Sequence, residues 1–577
     1  MSGSRVTGKG RYGAAMAISA ALLSVLVIAQ GSVTHGASDA PRVVDDALAL
    51  EHPDKACAGC HKEIYDRYER SAMAQGSGVA SDGLAAGGFT HAASAVSYKL
   101  FLRGGQAWLS YDRPSTKGSN GIDAGLHGEQ QLAYFIGSGK RGRTYLFQQD
   151  GLWFEAPVNY YSKKQMWDMP PAFGSATTMP YTLRVDSNCL HCHAGEVQNS
   201  TLEARNRYNG PPFRAGGIGC AACHGDPSAH LASQGHGPII NPSKLSASRR
   251  DGTCLQCHVE GDVEIYRAGK SLAAYQPGQE LGDNVVYFVN TEREGYWNRA
   301  GSQYEALLRS ACKRGSGDRL TCTTCHDPHG SPSAEQRVSF YRARCLSCHT
   351  GPVFAQQHHR EQQDCAACHM PRRKSDDIPH EQLTDHDIEA VPHPPGFESL
   401  DHSANLVAVG PVSAGDRETG LAYAQLAKSG DHVSGEKALR LLLKAEGAGA
   451  DDVEVHVALG YLQQISGNQG AARTEYRAAL AKDPYESTAA TNLAVLEAAS
   501  GRVEESVRLL QRVVDADPSQ TSAGLNLAFI ECKLGETAKA KATLDLLRRF
   551  NPDSTPLRQF TQTGIYGGQR CDLQQTP

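Results

Sequence analysis

The chain is poor in tryptophan and methionine, with 4 Trp and 7 Met in 577 residues, and its charge is nearly balanced at −5 from 57 basic and 62 acidic residues. So even a balance leaves no electrostatic footprint for nucleic acid. Beyond one apolar run near the N-terminus there is no stretch long enough to cross a bilayer, which excludes a polytopic membrane protein. A hydrophobic content of 40% with 21% charged residues also excludes wholesale disorder. Length suggests about three to four domains. Cysteine and histidine are the residues in excess, at 17 and 23.

Arg5, Lys9 and Arg11 precede an apolar run from Ala14 to about Ala29, and small and polar residues follow. That is the order of a secretory signal, with cleavage after Ala37 or Ala40, or of an N-terminal anchor that is retained. Residues 1–40 are set aside on this ground. The protein is expected to be exported, and so periplasmic, membrane-anchored or extracellular, with no membrane contact except through such an anchor.

Fourteen cysteines fall into seven Cys-x-x-Cys-His motifs: Cys57/Cys60/His61, Cys189/Cys192/His193, Cys220/Cys223/His224, Cys254/Cys257/His258, Cys322/Cys325/His326, Cys345/Cys348/His349 and Cys365/Cys368/His369. Chance would give on the order of 0.02 such matches at this composition. Two thiols at this spacing add to the two vinyl groups of one porphyrin, and the adjacent imidazole then binds iron from one face. Zinc sites or disulfides would not require the trailing histidine. The sequence therefore predicts seven covalently attached c-type haems with these seven histidines as proximal ligands.

Axial ligation separates a relay from an enzyme, because iron held by two histidines has no position open to substrate. His230, His329, His358, His359, His380 and His386 are the candidate distal ligands, since each lies close in sequence to a motif. His191, inside the second motif, is expected to face solvent. Cys312 is a buried thiol, an axial ligand or a redox group, and Cys532 and Cys571 are either free or paired with each other.

The motifs also divide the chain. Between Cys60 and Cys189 there is no cysteine, and two alternating runs read as hairpins: Ser97 to Asp112 around Gly104-Gly105, and Arg143 to Tyr160 around Asp150-Gly151. A small antiparallel β insertion is expected over about 90–165, inside a seven-haem cytochrome domain spanning 41–410. With roughly 50 residues per haem, the porphyrin faces must supply much of that domain's interior. After residue 411 a period of 34 emerges in Pro484, Pro518 and Pro552, and in Gly467, Gly501 and Gly535. This is the tetratricopeptide pattern. About four repeats, a mainly α solenoid over 411–555, end in a cap and tail at 556–577. Such an array docks a redox partner protein or self-associates.

The phrases CAGCHKEIYDRYERSAM, YFIGSGKRGRTYL, GIGCAACHGDPSAH, NPSKL, LTCTTCHDPHG and CHMPRRKSDDIPHEQLTDHDI resemble exported multihaem c-type cytochromes of the cytochrome c554-related group that carry C-terminal tetratricopeptide repeats. The resemblance implies respiratory or anaerobic electron transfer and gives weight to His230, His329, His358, His380 and His386 as haem-associated. The chain departs from the cytochrome c nitrite reductase pattern in having no Cys-x-x-Cys-Lys motif. The reading is an electron relay. The alternative is an oxidoreductase acting on a small nitrogen or sulfur compound at one open haem, with Lys140, Arg141, Arg143, Tyr145, Tyr160 and Tyr161 as its candidate substrate wall.

Overall fold

The computed structural model describes residues 50–115, 125–181, 183–290, 301, 303–351, 354, 363–375, 378, 380–389, 406–410 and 412–573. The N-terminal segment 1–40 and the candidate ligands His358 and His359 lie outside the described residues.

Both expected hairpins form. Val96–Arg103 pairs with Gln106–Arg113, and Gly142–Gln149 pairs with Leu152–Tyr161. Gly104, Gly105, Asp150 and Gly151 take the positive φ that a two-residue turn between right-twisted strands requires. The first hairpin belongs to a four-stranded sheet with Gly87–His91 and Leu126–Leu132, and the second to a six-stranded sheet that reaches from Ser77–Val79 to Leu183–Arg184. Strands thus extend past both limits of the alternating sequence. Short edge strands such as Ser77–Val79 and Leu183–Arg184 are too brief to show a period of two. Tyr98, Leu100, Leu109, Phe147 and Phe154 meet between the sheets in one buried cluster.

Around the motifs the elements are short. Ala221–His224, Cys322–Cys325 and Cys365–His369 are single helical turns of four or five residues, and none of them buries a residue. The longer Arg337–Leu346 buries none either. One small antiparallel sheet, Val263–Tyr266, Val285–Asn290 and Leu406–Ala408, stands beside them.

From Asp416 the chain runs as four antiparallel helix pairs, from Asp416–Ala427 with His432–Gly447 to Thr521–Lys533 with Thr537–Phe550, closed by Thr555–Thr563. Gly467, Gly501 and Gly535 all sit at φ +80° to +82°, where a β-carbon would be strained, and each turns the chain between paired helices. Ala438, Ala472, Ser506 and Ala540, at 34-residue spacing, are all fully buried where paired helices approach. Cys532 and Cys571 form a disulfide that ties the last repeat to the C-terminal hairpin, Ile565–Tyr566 with Gln569–Arg570.

The array packs on the rest of the chain at both ends. At its start, Leu421, Ala422 and Tyr423 share a cluster with Val263, Ile265, Phe288 and Leu406, and Arg417 donates to the Tyr266 carbonyl. At its end, Phe550 enters the β-sheet core against Phe154, and Arg113 donates to the fully buried Asp553 at 2.5 and 2.9 Å.

Candidate functional site

Four of the seven motifs are held by aspartates as much as by their own turns. Asp186 caps the helix of the second motif by accepting from the Cys189 amide at 3.0 Å, and Asp364 does the same for the seventh by accepting from Ala367. Two more act at long range. Asp54 accepts from the Cys220 amide at 3.0 Å and the buried Asp251 from the Cys322 amide at 3.1 Å, so motif three is fastened to the chain before motif one and motif five to the helix of motif four. Gln256, one of the two variable residues of motif four, donates to the Ala222 carbonyl of motif three, and its side-chain oxygen lies 2.9 Å from Nε2 of His191 in motif two. Sequence reasoning expects His191 at the surface. The structure turns it inward because Gln256 gives it a partner.

These ties bring thiols of different motifs side by side. Cys57 lies with Cys220 and Asp54 in a group whose ligand atoms are within 4.8 Å of one another. Cys192 neighbours Cys257, Cys254 neighbours Cys322, and Cys345 neighbours Cys365. Cys223 interacts electrostatically with Cys254, and Cys325 with Cys345 and Cys348. Cys312 is half-buried and interacts electrostatically with the Cys325 and Cys348 thiols, and burial pushes its own thiol up.

The fourteen motif cysteines, alike in the sequence pattern, are not alike in the structure. Cys60 and Cys368 are exposed, and among the described residues neither takes part in these contacts between motifs. Each is the second cysteine of a motif at one end of the series. Their place as attachment sites therefore rests on motif spacing alone, whereas the first cysteine of each of these motifs is also tied to a neighbour.

Among the described residues the motif histidines meet second histidines in three places. The rings of His61 and His230 are 6.5 Å apart with planes 16° from parallel, those of His224 and His329 are 6.1 Å and 10°, and those of His326 and His386 are 6.2 Å and 27°. In these pairs the outer nitrogen is tied back to the chain. Nδ1–H of His224 donates to the Ile240 carbonyl at 2.8 Å, that of His230 to Gly237 at 3.0 Å, and that of His386 to Thr384 at 3.0 Å. Outside the pairs, His369 makes the same kind of bond to Glu389 at 2.7 Å, and the His349 ring lies 4.6 Å from Phe354. Burial lowers the pKa of His193, His258, His326 and His386, favouring the neutral imidazole that binds metal.

The other candidates are differently placed. His380 holds its Nε2 against the Asp168 carboxylate at 2.8 Å and lies edge-on to Tyr161. Among the described residues neither His193 nor His258 faces a second imidazole. In the proposed substrate wall, Tyr145 and Tyr161 are core residues, and Arg143 is spent on the Asp82 carbonyl and the Phe135 ring. Lys140 donates to the Arg70 carbonyl. Arg141 alone acts on a motif histidine, helping to lower the pKa of His258.

Capping by Asp186 and Asp364 is a signal the sequence carried, since an Asp stands just before the turn in each case. Nothing local marks Asp54, Asp251 or Gln256, whose partners are 166, 71 and 34 residues away.

Comparison with known families divides the chain in the same way. Residues 161–225 match the model for cytochrome c554 and c-prime, residues 315–353 the doubled CXXCH motif, and residues 500–560 the tetratricopeptide repeat. No curated protein matches the chain. Similar solved structures include pilF of Pseudomonas aeruginosa at 22% identity, covering 26% of this chain and 70% of that one with a TM-score of 0.23. A MamA structure has 21% identity, 26% and 81% coverage and a TM-score of 0.22, and YrrB, a TPR protein with an unusual peptide-binding site, 19%, 26%, 72% and 0.23. Paired attachment motifs imply covalently bound c-type haem, and with the cytochrome c554 match before them and the repeats behind, the chain is a multihaem c-type cytochrome with a C-terminal tetratricopeptide array.

Proposed function

We propose that the protein is an exported, periplasmic cytochrome of seven c-type haems that relays electrons, with a haem-packed domain over 41–410 and an array over 411–555 that docks a redox partner or a second copy. The three histidine pairs carry this reading. Two imidazoles bonded to one metal at about 2.0 Å have ring centres roughly 6.3 Å apart, and the observed 6.1, 6.2 and 6.5 Å match that separation. Outer nitrogens bonded to backbone carbonyls are the usual way a ligating histidine is oriented. On this basis His230 is assigned opposite His61, His329 opposite His224 and His386 opposite His326. The haem, when bound, supplies one-electron exchange. The protein's part is to fix the imidazoles and to set the attachment thiols next to one another.

Those thiol contacts support a continuous path. Close thiol pairs link motif one to three, two to four, four to five and six to seven, and electrostatic interaction between thiols joins three to four and five to six. Export is supported by the signal-like N-terminus and by the Cys532–Cys571 disulfide, a bond at home in oxidising compartments. Among the described residues no helix is long and apolar enough to cross a membrane.

A second reading has its own observation. His193 and His258 make no ring pairing with a second imidazole among the described residues, and the charge of Arg141 acts on His258. A haem ligated on one face there could take a small nitrogen or sulfur compound, with Arg141 favouring an anion. Electron paramagnetic resonance of the purified holoprotein, repeated with carbon monoxide after reduction, separates the two. Wholly low-spin iron that ignores the gas fits the relay, whereas one high-spin, gas-binding equivalent in the wild type favours the enzyme. Replacing His329 or His386 by Ala is expected to create one new high-spin equivalent in each case. An unchanged spectrum would remove those assignments.

A further inference from the structure

The first complete repeat of the array departs from its successors at three positions together. Glu446 lies at the end of helix His432–Gly447, His456 in the first turn of Val453–Ile465, and Glu475 within Gln469–Lys482. One repeat later, 34 residues on, the same places hold Leu480, Ala490 and Leu509, all packed into the apolar interior of the array. A repeat later still they hold Val514, Gly524 and Thr543. Where the next repeat packs hydrocarbon at these positions, this one buries an imidazole between carboxylates. Such a substitution is costly unless the polar groups serve one another or a ligand.

The geometry is that of a ligand set. One ligand atom from each of Glu446, His456 and Glu475 lies within 4.8 Å of the other two. His456, with a side chain only 8% exposed, has Nδ1 at 2.8 Å from Glu475 Oε2 and Nε2 at 2.8 Å from Asp451 Oδ1. Asp451 is itself held by Lys482 at 2.8 Å. Glu446 has no cation or hydrogen-bond donor of its own among the described residues, and it is crowded against Glu475. With a neutral imidazole, three carboxylates against one ammonium leave two negative charges, which one dication would cancel.

We propose that Glu446, His456 and Glu475 bind a divalent cation of the zinc class, with His456 ligating through Nδ1 and Asp451 orienting it from Nε2. One nitrogen with carboxylate oxygens suits zinc better than calcium or magnesium, which prefer all-oxygen sets. A carboxylate on the far nitrogen is the usual support of a zinc-bound histidine. Three protein ligands leave a fourth position to water. The ion would join three successive helices near the start of the array.

The test uses the full-length holoprotein, stripped with a chelator and dialysed against micromolar zinc, with metal content and melting temperature as readouts and the haem spectrum as the control for folding. The triple variant Glu446→Leu, His456→Ala, Glu475→Leu installs the residues of the next repeat and is expected to fold. Wild type is expected to retain one zinc more per chain than this variant and to melt higher with zinc, a shift the variant lacks. Asp451→Asn is expected to weaken zinc binding about 10–100-fold without removing it. Equal zinc in wild type and triple variant would overturn the proposal. So would a melting temperature that responds to pH but not to zinc, since His456 would then hold a proton only.

Discussion

The haem-bearing segment, of sheets and short helical turns, and the repeat array, of paired helices, are built on opposite principles. In the array every helix buries its own residues: Asp416–Ala427 buries eight and Val453–Ile465 six, and the 34-residue spacing places small residues where paired helices touch. Around the attachment motifs, turns such as Ala221–His224 and Cys365–His369 bury none, and what fixes them is a set of single bonds from Asp54, Asp186, Asp251, Asp364 and Gln256. A repeat protein closes its core with side chains from neighbouring units. Around the attachment motifs, single hydrogen bonds position the thiols and imidazoles instead. The contrast predicts different failures for the two regions.

The largest effect is expected from Cys254→Ser combined with Cys257→Ser, because motif four adjoins motifs two, three and five. Limited proteolysis should then cut freely between residues 189 and 369 while the helices from Asp416 to Thr563 stay resistant. Equal resistance of both regions would mean that the cytochrome segment has a peptide core after all. Next comes the seam. Asp553 is fully buried, and it accepts from Arg113, from Arg558 and from the Met179 amide. Asp553→Ala should cost about 3–5 kcal/mol in denaturant unfolding, since it strands a largely buried guanidinium. A loss below 1 kcal/mol would show that the array holds its place by packing alone.

A smaller effect concerns Glu155, in the strand Leu152–Tyr161, whose carboxyl burial pushes up from 4.5 to about 7. A carboxyl with its folded pKa above its unfolded value binds its proton more tightly in the native state. Stability from this group is therefore greatest below pH 4.5, falls as pH rises towards 7 and stays low above. Glu155→Gln should remove that decline and add roughly 2–3 kcal/mol at pH 8. Parallel pH profiles for wild type and variant would contradict it. The smallest change is expected for Arg184→Ala. Arg184 is half exposed, and its partner Asp517 keeps bonds from Ser519 and Gln520, so thermal unfolding should register less than about 1 kcal/mol.

What could be read in the sequence followed how local each interaction is. The hairpin at Gly104-Gly105 and the array period were legible because their signals repeat within a few residues or at a fixed spacing. His230, His329 and His386 could be proposed as candidates from their nearness to motifs, but not matched to His61, His224 and His326, because a distal imidazole serves whichever motif the chain folds against it. His380, proposed on the same grounds, rests on Asp168, which lies 212 residues away. Gln256 occupies a position where the motif tolerates any residue, so nothing marked it. Nor does the motif distinguish the exposed Cys368 from Cys365, since spacing is the same whichever thiol meets a neighbour.

By itself the sequence determined the cofactor class and the repeat architecture, since covalent haem attachment needs two thiols and an imidazole within five residues and a solenoid needs only the same contacts every 34. Only the tertiary structure decided which imidazoles face each other, which thiols adjoin, and that the array is fastened at both ends to the segment before it. These are meetings between residues tens to hundreds of positions apart. They depend on how whole elements pack, and no local pattern encodes that.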